Sequence, residues 1–339
     1  MVQADEEGMA SGQRYEPLAR RALEAYELDV TGLTLIGYDW NFTFRVETAD
    51  GETYALRVYL AQRRSDDEIS VELAWLEALA SESVVRVPRP IRSVAGSLFE
   101  WVHHAGVPEP RRVAVFTWVP GDPLGDDPEP FLVSSFGEGV ARLHEHGRSF
   151  LRVDGLRRGD SQLPHGDAAS LFAEQNADIV LPPERAVFER AMSATREALA
   201  RLDASDEEPR IVHGDLHQEN VFVYDEKVWF LDFDDCLVAW PVQDLGVTMW
   251  EVGEDEATWP YRDALRAGYE RVATWPERWL GEIDVFAAGR GLLKVDDAVG
   301  KRASTSEAEL LGSVHRHAEA IGWFLDRADD RRWKRRSVR

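Results

Sequence analysis

Three polar residues in one short stretch of the chain have the types and the order that phosphoryl-transfer chemistry requires. Asp215 and Asn220 lie in a segment of small and polar residues, and Asp232 follows the apolar run 228–231. Transfer of a phosphoryl group needs a carboxylate beside the acceptor hydroxyl and oxygen ligands for magnesium. Asp215 is therefore a candidate base or hydroxyl-orienting carboxylate, and Asn220 and Asp232 are candidate magnesium ligands.

The spacing of the first two residues matches a known catalytic loop. Asp215 precedes Asn220 by five positions, as the Asp and Asn do in the His-Arg-Asp-x-x-x-x-Asn loop of protein kinases. The same spacing arises by chance in many proteins, and residues 165–167 form a second His-Gly-Asp. Neither an Asn nor a hairpin follows that copy at the corresponding distance, so we interpret it as an ordinary loop.

The segment after Asn220 is predicted to be a β-hairpin. Residues 225–227 supply the turn, and Asp232-Phe233-Asp234 stands after the second strand, where kinases have Asp-Phe-Gly. A hairpin returns the chain to the end of the sheet at which it started. We therefore expect Asn220 and Asp232 to lie close enough to bind one metal ion.

A different class of enzyme uses a similar short motif. An apolar strand ending in Asp232-Phe233-Asp234 also resembles the site of phosphatases and mutases that use an aspartyl nucleophile. Those enzymes usually carry the motif near the N-terminus, with Thr or Val where this chain has Cys236. Here the motif lies two thirds along the chain and follows the 215–220 segment, which favours a phosphotransferase.

A cation for the ATP phosphates is expected from the upstream half of the chain. The predicted strand 54–59 carries Arg57, and the helix after Ser65 carries Glu72. Kinases pair a Lys on this strand with a Glu on the next helix. Glu72 lies roughly 60° from the centre of its helix's apolar stripe, so we expect a partly buried carboxylate that needs a partner. Arg57 is the predicted partner; the alternative is two unrelated surface charges.

The order of elements predicts an α+β fold. Residues 33–118 contain short strand-like runs and one helix, and from residue 131 on the pattern is mostly helical. We expect a small antiparallel sheet with one key helix, followed by a larger helical body. The predicted parts are a disordered tail at 1–12, a nucleotide-binding N-lobe at 13–118, a catalytic and acceptor-binding C-lobe at 119–330 and a basic tail at 331–339.

The composition of the 339 residues is that of a folded protein from a reducing compartment. Hydrophobic residues make up 44% of the chain, which is enough for a packed core. The single cysteine, Cys236, excludes an internal disulfide. The acidic N-terminus does not resemble a signal peptide, and no apolar run reaches the roughly 18 residues of a membrane span. We therefore expect a cytoplasmic protein that does not bind membranes.

The charge of the chain argues against one class of partner. Acidic residues outnumber basic ones 62 to 39, so the net charge is −23. Such a surface repels nucleic acid. It attracts cations, so a cationic acceptor is one prediction, although solubility alone also explains the excess. The sequence leaves the oligomeric state open between monomer and dimer.

Several segments together resemble one known family. The stretch 211–221, followed by Leu231-Asp232-Phe233-Asp234-Asp235, resembles the signature of the aminoglycoside phosphotransferase and choline kinase superfamily. Ala141-Arg142-Leu143-His144, Asp244-Leu245-Gly246 and the hinge-like segment 116–121 resemble further elements of it. The branch most similar is that of the stress-response kinase and type II homoserine kinase. The resemblance covers roughly residues 30 to 290.

The resemblance implies a bilobal protein-kinase-like fold and the cofactors ATP and Mg²⁺. It implies that Asp244 holds the catalytic loop from below. It also implies that the adenine lies near the four hinge residues, which are Phe116, Thr117, Trp118 and Val119. Asn41 ends a short loop, residues 37–41, where protein kinases have a glycine-rich phosphate loop. Asn41 is a candidate phosphate ligand, and a plain turn is the alternative.

The acceptor is the part of the function that local motifs leave open. We expect the hydroxyl of a small molecule, because few residues separate Asp235 from the Trp240-Pro241 turn and little room remains for a peptide-docking segment. A Ser/Thr protein kinase of the stress-response type is one alternative. The other is a non-catalytic nucleotide-binding regulator, because Arg57 replaces the usual Lys. Amino alcohols, aminoglycosides, choline-like amines, sugars and proteins all remain candidate acceptors.

Overall fold

A computed structural model describes residues 6–38, 41–60, 64–164, 170–253 and 256–330 of the chain. The chain forms two compact units. The first unit comprises residues 1–124, 152–156 and 219–234, and the second comprises residues 125–151, 157–218 and 235–339. The first is built on an antiparallel sheet and the second is mostly helical. The predicted α+β class is confirmed.

An antiparallel sheet, whose strands differ in length, forms the body of the first unit. Its strands are β1 (Val30–Tyr38), β2 (Asn41–Thr48), β3 (Thr53–Tyr59), β4 (Pro90–Ile91), β5 (Glu100–Val102) and β6 (Arg111–Thr117). Strand β3 lies between β2 and β6, so Arg57 is in the middle of the sheet. In β2 the buried side chains Phe42, Phe44 and Val46 alternate with exposed ones, which places one face on the core.

Helix α1 (Glu6–Leu23) covers this core and corrects one expectation. Part of the tail expected to be disordered, up to residue 12, is helical from Glu6 on. Leu18, Ala19 and Ala22 are buried in the same cluster as the sheet residues. Once packing has fixed that end, each further helical residue adds a backbone hydrogen bond at little cost. Residues 1–5 and the basic tail at 331–339 lie outside the described residues.

Helix α2 (Asp66–Ser81) starts directly after Ser65, as predicted, at a capping box that Ser65 forms with Glu68. The Ser65 hydroxyl accepts from the Glu68 backbone N–H, and the Glu68 carboxylate accepts from the Ser65 backbone N–H. The helix buries most of one side, including Leu73, Trp75 and Leu76. Glu72 is buried with them, more deeply than the amphipathic pattern predicts.

The predicted hairpin near Asp232 belongs to the first unit. Strand β9 (Val221–Tyr224) pairs with β10 (Lys227–Phe230), and the short β7 (Asp122–Pro123) pairs with β9. Asp225 and Glu226 both have left-handed backbone, as a two-residue type I′ turn demands. Two contacts fix the hairpin in this unit: the Phe230 N–H donates to the Arg86 carbonyl, and the Phe233 ring packs edge-on against Trp75.

The second unit is a helical body with one short two-stranded sheet. Its helices are α3 (Pro130–Ser149), α4 (Pro182–Asp203), α5 (Pro241–Val252), α6 (Trp259–Tyr269), α7 (Glu282–Gly300) and α8 (Glu307–Asp329). Strands β8 (Arg210–Val212) and β11 (Leu237–Ala239) pair antiparallel. Helix α7 packs against α4, α5 and α8. Gly246 of α5 makes the α5–α7 approach possible, because a Cβ there would lie 2.5 Å from the Phe286 Cβ.

Membrane insertion of a helix has no support in the described part of the chain. None of the helices there is both long and apolar enough to cross a bilayer.

Candidate active site

Arg57 is the centre of an ion-pair cluster in the first unit. Its Nη1 donates to Glu72 Oε1 at 3.0 Å, and its Nη2 donates to Asp232 Oδ1 at 2.9 Å. The side chain of Glu72 is 2% exposed and that of Arg57 is 16% exposed, whereas that of Asp232 is 47% exposed. The predicted pairing of Arg57 with Glu72 is therefore present, and Asp232 is a further partner that the sequence pattern does not indicate.

The charges in this cluster depend on one another. Burial by itself lowers the pKa of Arg57, but the carboxylates of Asp232 and Glu72 raise it above its ordinary value. Burial raises the pKa of Glu72, and the positive charges of Arg57 and Arg64 oppose that shift. Tyr59 donates its hydroxyl to Glu72 Oε2 at 3.3 Å. Glu72 thus accepts a hydrogen bond from the Arg57 guanidinium on its buried side, and Asp232 accepts one on its more exposed side.

Asp232 and Asn220 lie at the ends of the hairpin strands. The Leu231 N–H donates to the Asn220 carbonyl at 2.9 Å, so the chain segments that carry the two side chains are hydrogen-bonded neighbours. Asp232 has left-handed backbone with φ of 60°, a conformation that Asp adopts more readily than most residues. The Asn220 side chain is buried, and Asn41 Nδ2 donates to Asp234 Oδ2 at 2.9 Å.

The side-chain oxygens of Asn220 and Asp232 suit a magnesium ion whose remaining coordination positions are filled by phosphate and water. A carboxylate and an amide oxygen are hard ligands, and Mg²⁺ typically takes one or two protein carboxylates together with substrate phosphates and water. Among the described residues, no group of three or more His, Cys, Asp or Glu side chains forms a cage for a metal ion. A site at Asn220 and Asp232 therefore suits an ion that arrives with a nucleotide.

The four hinge residues have distinct surroundings in the first unit. The Phe116 ring is buried, and the Arg57 guanidinium lies 5.5 Å from its centroid. The Thr117 hydroxyl accepts from the Arg89 N–H, the Trp118 ring lies 5.4 Å from the Arg45 guanidinium, and Val119 is buried. Of the four residues, Phe116 therefore lies next to Arg57. The predicted loop residues Asp39 and Trp40 lie outside the described residues, as does the second His-Gly-Asp at 165–167.

The segment 213–218 of the second unit is held by one buried carboxylate. Asp244 accepts from the His213 N–H at 3.1 Å and from the Gly214 N–H at 2.8 Å. His144 Nε2 lies 3.1 Å from the same carboxylate and is itself buried. Gly214 has φ of 85°, and a Cβ there would lie 2.1 Å from the Asp235 carbonyl, so this turn requires glycine. Asp244 therefore determines the path of the backbone just before Asp215.

Asp215 has donors on both of its carboxylate oxygens. Arg290 Nη2 donates to Oδ1, and His217 Nε2 lies 3.3 Å from Oδ2. Burial alone would raise the pKa of Asp215, but His217, Arg290 and Lys294 hold it well below its usual range. Asp215 is therefore ionised at neutral pH and can accept a hydrogen bond from a hydroxyl group.

Arg290 is the residue of this cluster that sequence reasoning missed. It lies on α7, 75 positions after Asp215. No local motif surrounds it, and nothing in the helical pattern distinguishes it from the neighbouring charged residues. His213, at the start of the segment, is fully buried, and Cys236 is a buried small residue.

Replacing Asp244 with alanine is expected to lower the free energy of unfolding by about 3–5 kcal/mol, because two backbone N–H groups and His144 lose their buried charged partner. The pKa of Asp244 is lowered: burial raises it, but the hydrogen bond and charge of His144 outweigh that effect. The stability that Asp244 contributes is therefore present above the unfolded-state pKa and is lost as pH falls through the folded-state pKa. Urea unfolding at several pH values measures both effects.

Asp326→Ala is the matched control for this prediction, since Asp326 is 73% exposed and pairs only with a surface arginine at 2.7 Å among the contacts described. We expect that control to stay within about 1 kcal/mol of wild type. Equal losses in the two variants would contradict the anchoring contribution of Asp244.

Comparison with known proteins identifies the group to which the chain belongs. Residues 32–279 match the family model described as the phosphotransferase enzyme family. The homoserine kinase of Rhodospirillum rubrum is 30% identical over 251 residues, which cover 68% of this chain and 68% of that protein.

Two solved structures have similar folds. The microcompartment-associated aminopropanol kinase has a TM-score of 0.78 and 24% identity, over 92% of this chain and 98% of that chain. An amicoumacin kinase in complex with AMP-PNP, Ca²⁺ and Ami has a TM-score of 0.74 and 18% identity, over 94% of this chain and 96% of that chain. These likenesses confirm the predicted kinase-like fold.

The family match spans most of the chain and includes every residue of the Arg57 cluster and the whole segment from His213 to Asp232. The predicted family is thereby confirmed, and the named relatives are kinases. The chain belongs to the phosphotransferase enzyme family and is a kinase-type enzyme within it.

Proposed function

We propose that this enzyme transfers the γ-phosphoryl group of ATP to a hydroxyl group of a small molecule and requires magnesium. The observation that carries the proposal is the pairing of Arg57 with both Glu72 and Asp232. This arrangement presents a cation, fixed from its buried side, next to an exposed carboxylate of the metal-binding type. Phosphoryl transfer depends almost entirely on such positioning and charge neutralisation.

Each of the candidate site residues has a defined part in the proposed reaction. Arg57 neutralises the ATP phosphates with its fork of donors and is aligned by Glu72. Asp215 accepts the hydrogen bond of the acceptor hydroxyl and takes its proton as the new O–P bond forms and the γ-phosphate separates from ADP. Asn41 is proposed as a phosphate ligand, and the adenine is proposed to lie beside residues 116–119.

Asn220 and Asp232 are the proposed ligands of magnesium, which when bound supplies positive charge to the phosphate oxygens. No covalent phosphoenzyme is required, because the acceptor oxygen attacks the phosphorus directly. The proposed ATP dependence is supported by the AMP-PNP complex of the structurally similar amicoumacin kinase.

Amino alcohols and hydroxy amino acids are the first acceptors to test. One relative is named as a homoserine kinase and one structural neighbour as an aminopropanol kinase. Homoserine and 3-aminopropan-1-ol differ only by the carboxylate, so the pair also separates two substrate classes. The test measures ADP formation from MgATP with each acceptor, with aminoglycosides, sugars, choline and a generic protein as further pools.

Turnover with one pool supports the phosphotransferase function and identifies the acceptor class. Binding of MgATP without turnover in any pool would instead favour the non-catalytic regulator. Absence of both turnover and nucleotide binding would contradict the proposed function.

Removal of magnesium is expected to abolish turnover. Asp232→Asn is expected to raise the magnesium concentration for half-maximal rate by roughly 10–100-fold or more, since even the loss of an outer-shell partner of a metal ligand costs that much. The measurement is a magnesium titration of ADP formation after chelation with EDTA. Asp225→Asn is the control, since Asp225 is a 70% exposed turn residue on the same hairpin. A magnesium requirement unchanged in Asp232→Asn would exclude Asp232 as a ligand.

A further inference from the structure

The surroundings of Asp215 in the second unit are rich in positive charge. Arg290 donates to Asp215 Oδ1, and His217 Nε2 lies within hydrogen-bonding distance of Oδ2. Lys294, one helical turn beyond Arg290 on α7, adds a positive charge that favours the ionised form of Asp215. Lys294 pairs with Glu251 of α5 at 3.0 Å. From α8, the half-buried His317 lies near Lys294, Glu251 and the exposed Arg316. Two cationic side chains, Arg290 and Lys294, thus lie around Asp215, although the whole chain carries a net charge of −23.

Arg290 keeps hydrogen-bonding capacity beyond its contact with Asp215. Its Nε is buried and makes no hydrogen bond within the described part of the chain. A cavity of about 10 Å³ lies beside the side chain, lined also by Thr195, Gln243 and Phe286. That volume holds about one water molecule and no larger group. The buried Nε therefore has room for a water partner only, and a second carboxylate would use the Nη groups, whose fork geometry suits it.

The contact between Arg290 and Asp215 competes with the proposed chemistry, because the acceptor hydroxyl must share the Asp215 carboxylate with Arg290. Asp215 must offer a carboxylate oxygen to the acceptor hydroxyl, and the Arg290 guanidinium covers Oδ1. Both side chains are largely buried, so separating them without a new partner would leave two uncompensated charges. A purely cationic acceptor would face Arg290 and Lys294 and would compensate neither of them.

We propose that the acceptor carries a carboxylate, that Arg290 binds this carboxylate, and that the exchange of partners frees Asp215 Oδ1 for the acceptor hydroxyl. This inference rests on the proposed phosphotransferase function and narrows its substrate class to small hydroxy acids, among which hydroxy amino acids also keep a cationic ammonium group. Arg290 is then a specificity-determining residue, because an acceptor with an anionic group draws it away from the base.

The test compares acceptors that differ only in the carboxylate. The probes are homoserine against 3-aminopropan-1-ol and 4-hydroxybutanoate against propan-1-ol, each assayed for kcat and KM with MgATP. We expect the carboxylate-bearing member of a pair to have the higher kcat/KM by about tenfold or more, the usual size of a charge-assisted hydrogen bond. A preference for the member without the carboxylate would overturn the inference and leave the phosphotransferase function intact.

Variants of Arg290 make the test specific to this side chain. Arg290→Met is expected to reduce the kcat/KM ratio within a pair by about 10–100-fold, mainly through KM of the carboxylate-bearing member. Arg290→Lys, which keeps the charge but not the fork, is expected to retain part of the ratio. Arg190→Met is the control: it removes an arginine charge whose partners, Asp326 and Asp329, lie on the surface of the same unit, and its ratio is expected to equal that of wild type.

A binding measurement decides the question where turnover is slow. Thermal stabilisation by each probe is measured in the presence of Mg²⁺ and AMP-PNP, with wild type and Arg290→Met. Carboxylate-dependent stabilisation that disappears in Arg290→Met supports the inference. Equal stabilisation by both members of every pair, or the same carboxylate effect in both proteins, overturns it. Failure of AMP-PNP itself to stabilise the protein would instead count against the proposed function.

Discussion

Asp215→Asn is expected to lower kcat by about 100- to 10,000-fold, the usual contribution of a positioned general base. The amide keeps the size and shape of the carboxylate but cannot take the proton of the acceptor hydroxyl. The variant also loses the charge that Arg290 and His217 now face. The measurement is steady-state ADP formation with the best acceptor, together with the affinity for AMP-PNP.

The affinity for AMP-PNP separates a chemical effect from a folding effect. If Asp215 acts only on the acceptor, nucleotide affinity stays close to that of wild type while kcat falls. Asp297→Asn is the matched control, because Asp297 is a 52% exposed residue of α7 that pairs with Lys301. Turnover in Asp215→Asn within a few-fold of wild type would exclude Asp215 as the base.

Arg57→Met is expected to destabilise the protein by about 3–5 kcal/mol, since it leaves the buried Glu72 carboxylate without its partner. Glu72 is 2% exposed, and burial already raises its pKa. A carboxyl group with a raised folded-state pKa contributes stability below its unfolded-state pKa and loses that contribution as pH rises. The deficit of Arg57→Met is therefore expected to be larger near about pH 8 than near about pH 5. Urea unfolding at both pH values measures it.

The double variant Arg57→Met/Glu72→Gln distinguishes the structural from the functional contribution of Arg57. Removing both charges together is expected to recover most of the lost stability. Affinity for MgATP is expected to remain low, because the cation that is proposed to contact the phosphates is still missing. Recovery of nucleotide affinity along with stability would show that Arg57 serves the fold alone.

An exposed ion pair of the same unit provides the comparison for these variants. Arg92 pairs with Glu77 of α2 through two short hydrogen bonds, and its side chain is 50% exposed. Arg92→Met is expected to change the free energy of unfolding by at most about 1 kcal/mol. The contrast tests whether burial, and not charge alone, determines the effect at Arg57.

Local patterns were sufficient to predict the elements that carry the site. The Ser65–Glu68 capping box marks the start of α2 within one residue, and residues 225–227 mark the turn between β9 and β10. Both signals depend on hydrogen bonds and backbone angles of adjacent residues. The expectation of a disordered tail was wrong for residues 6–12, since α1 is stabilised by packing of Leu18 and Ala22 on a sheet that is distant in sequence.

The amino-acid sequence alone determined the family, the α+β class and the candidate residues from His213 to Asp232, because their order and spacing are local. It also indicated that Arg57 and Glu72 pair, because a central strand and the following helix carry them. Only the tertiary structure decided that Asp232 shares Arg57 and that Arg290 covers Asp215. Those contacts join residues 175 and 75 positions apart. The first pairing results from how β3 and the hairpin pack within the first unit, and the second from how α7 packs against the segment 213–218 within the second unit. Burial then determines how strongly the paired charges act on one another.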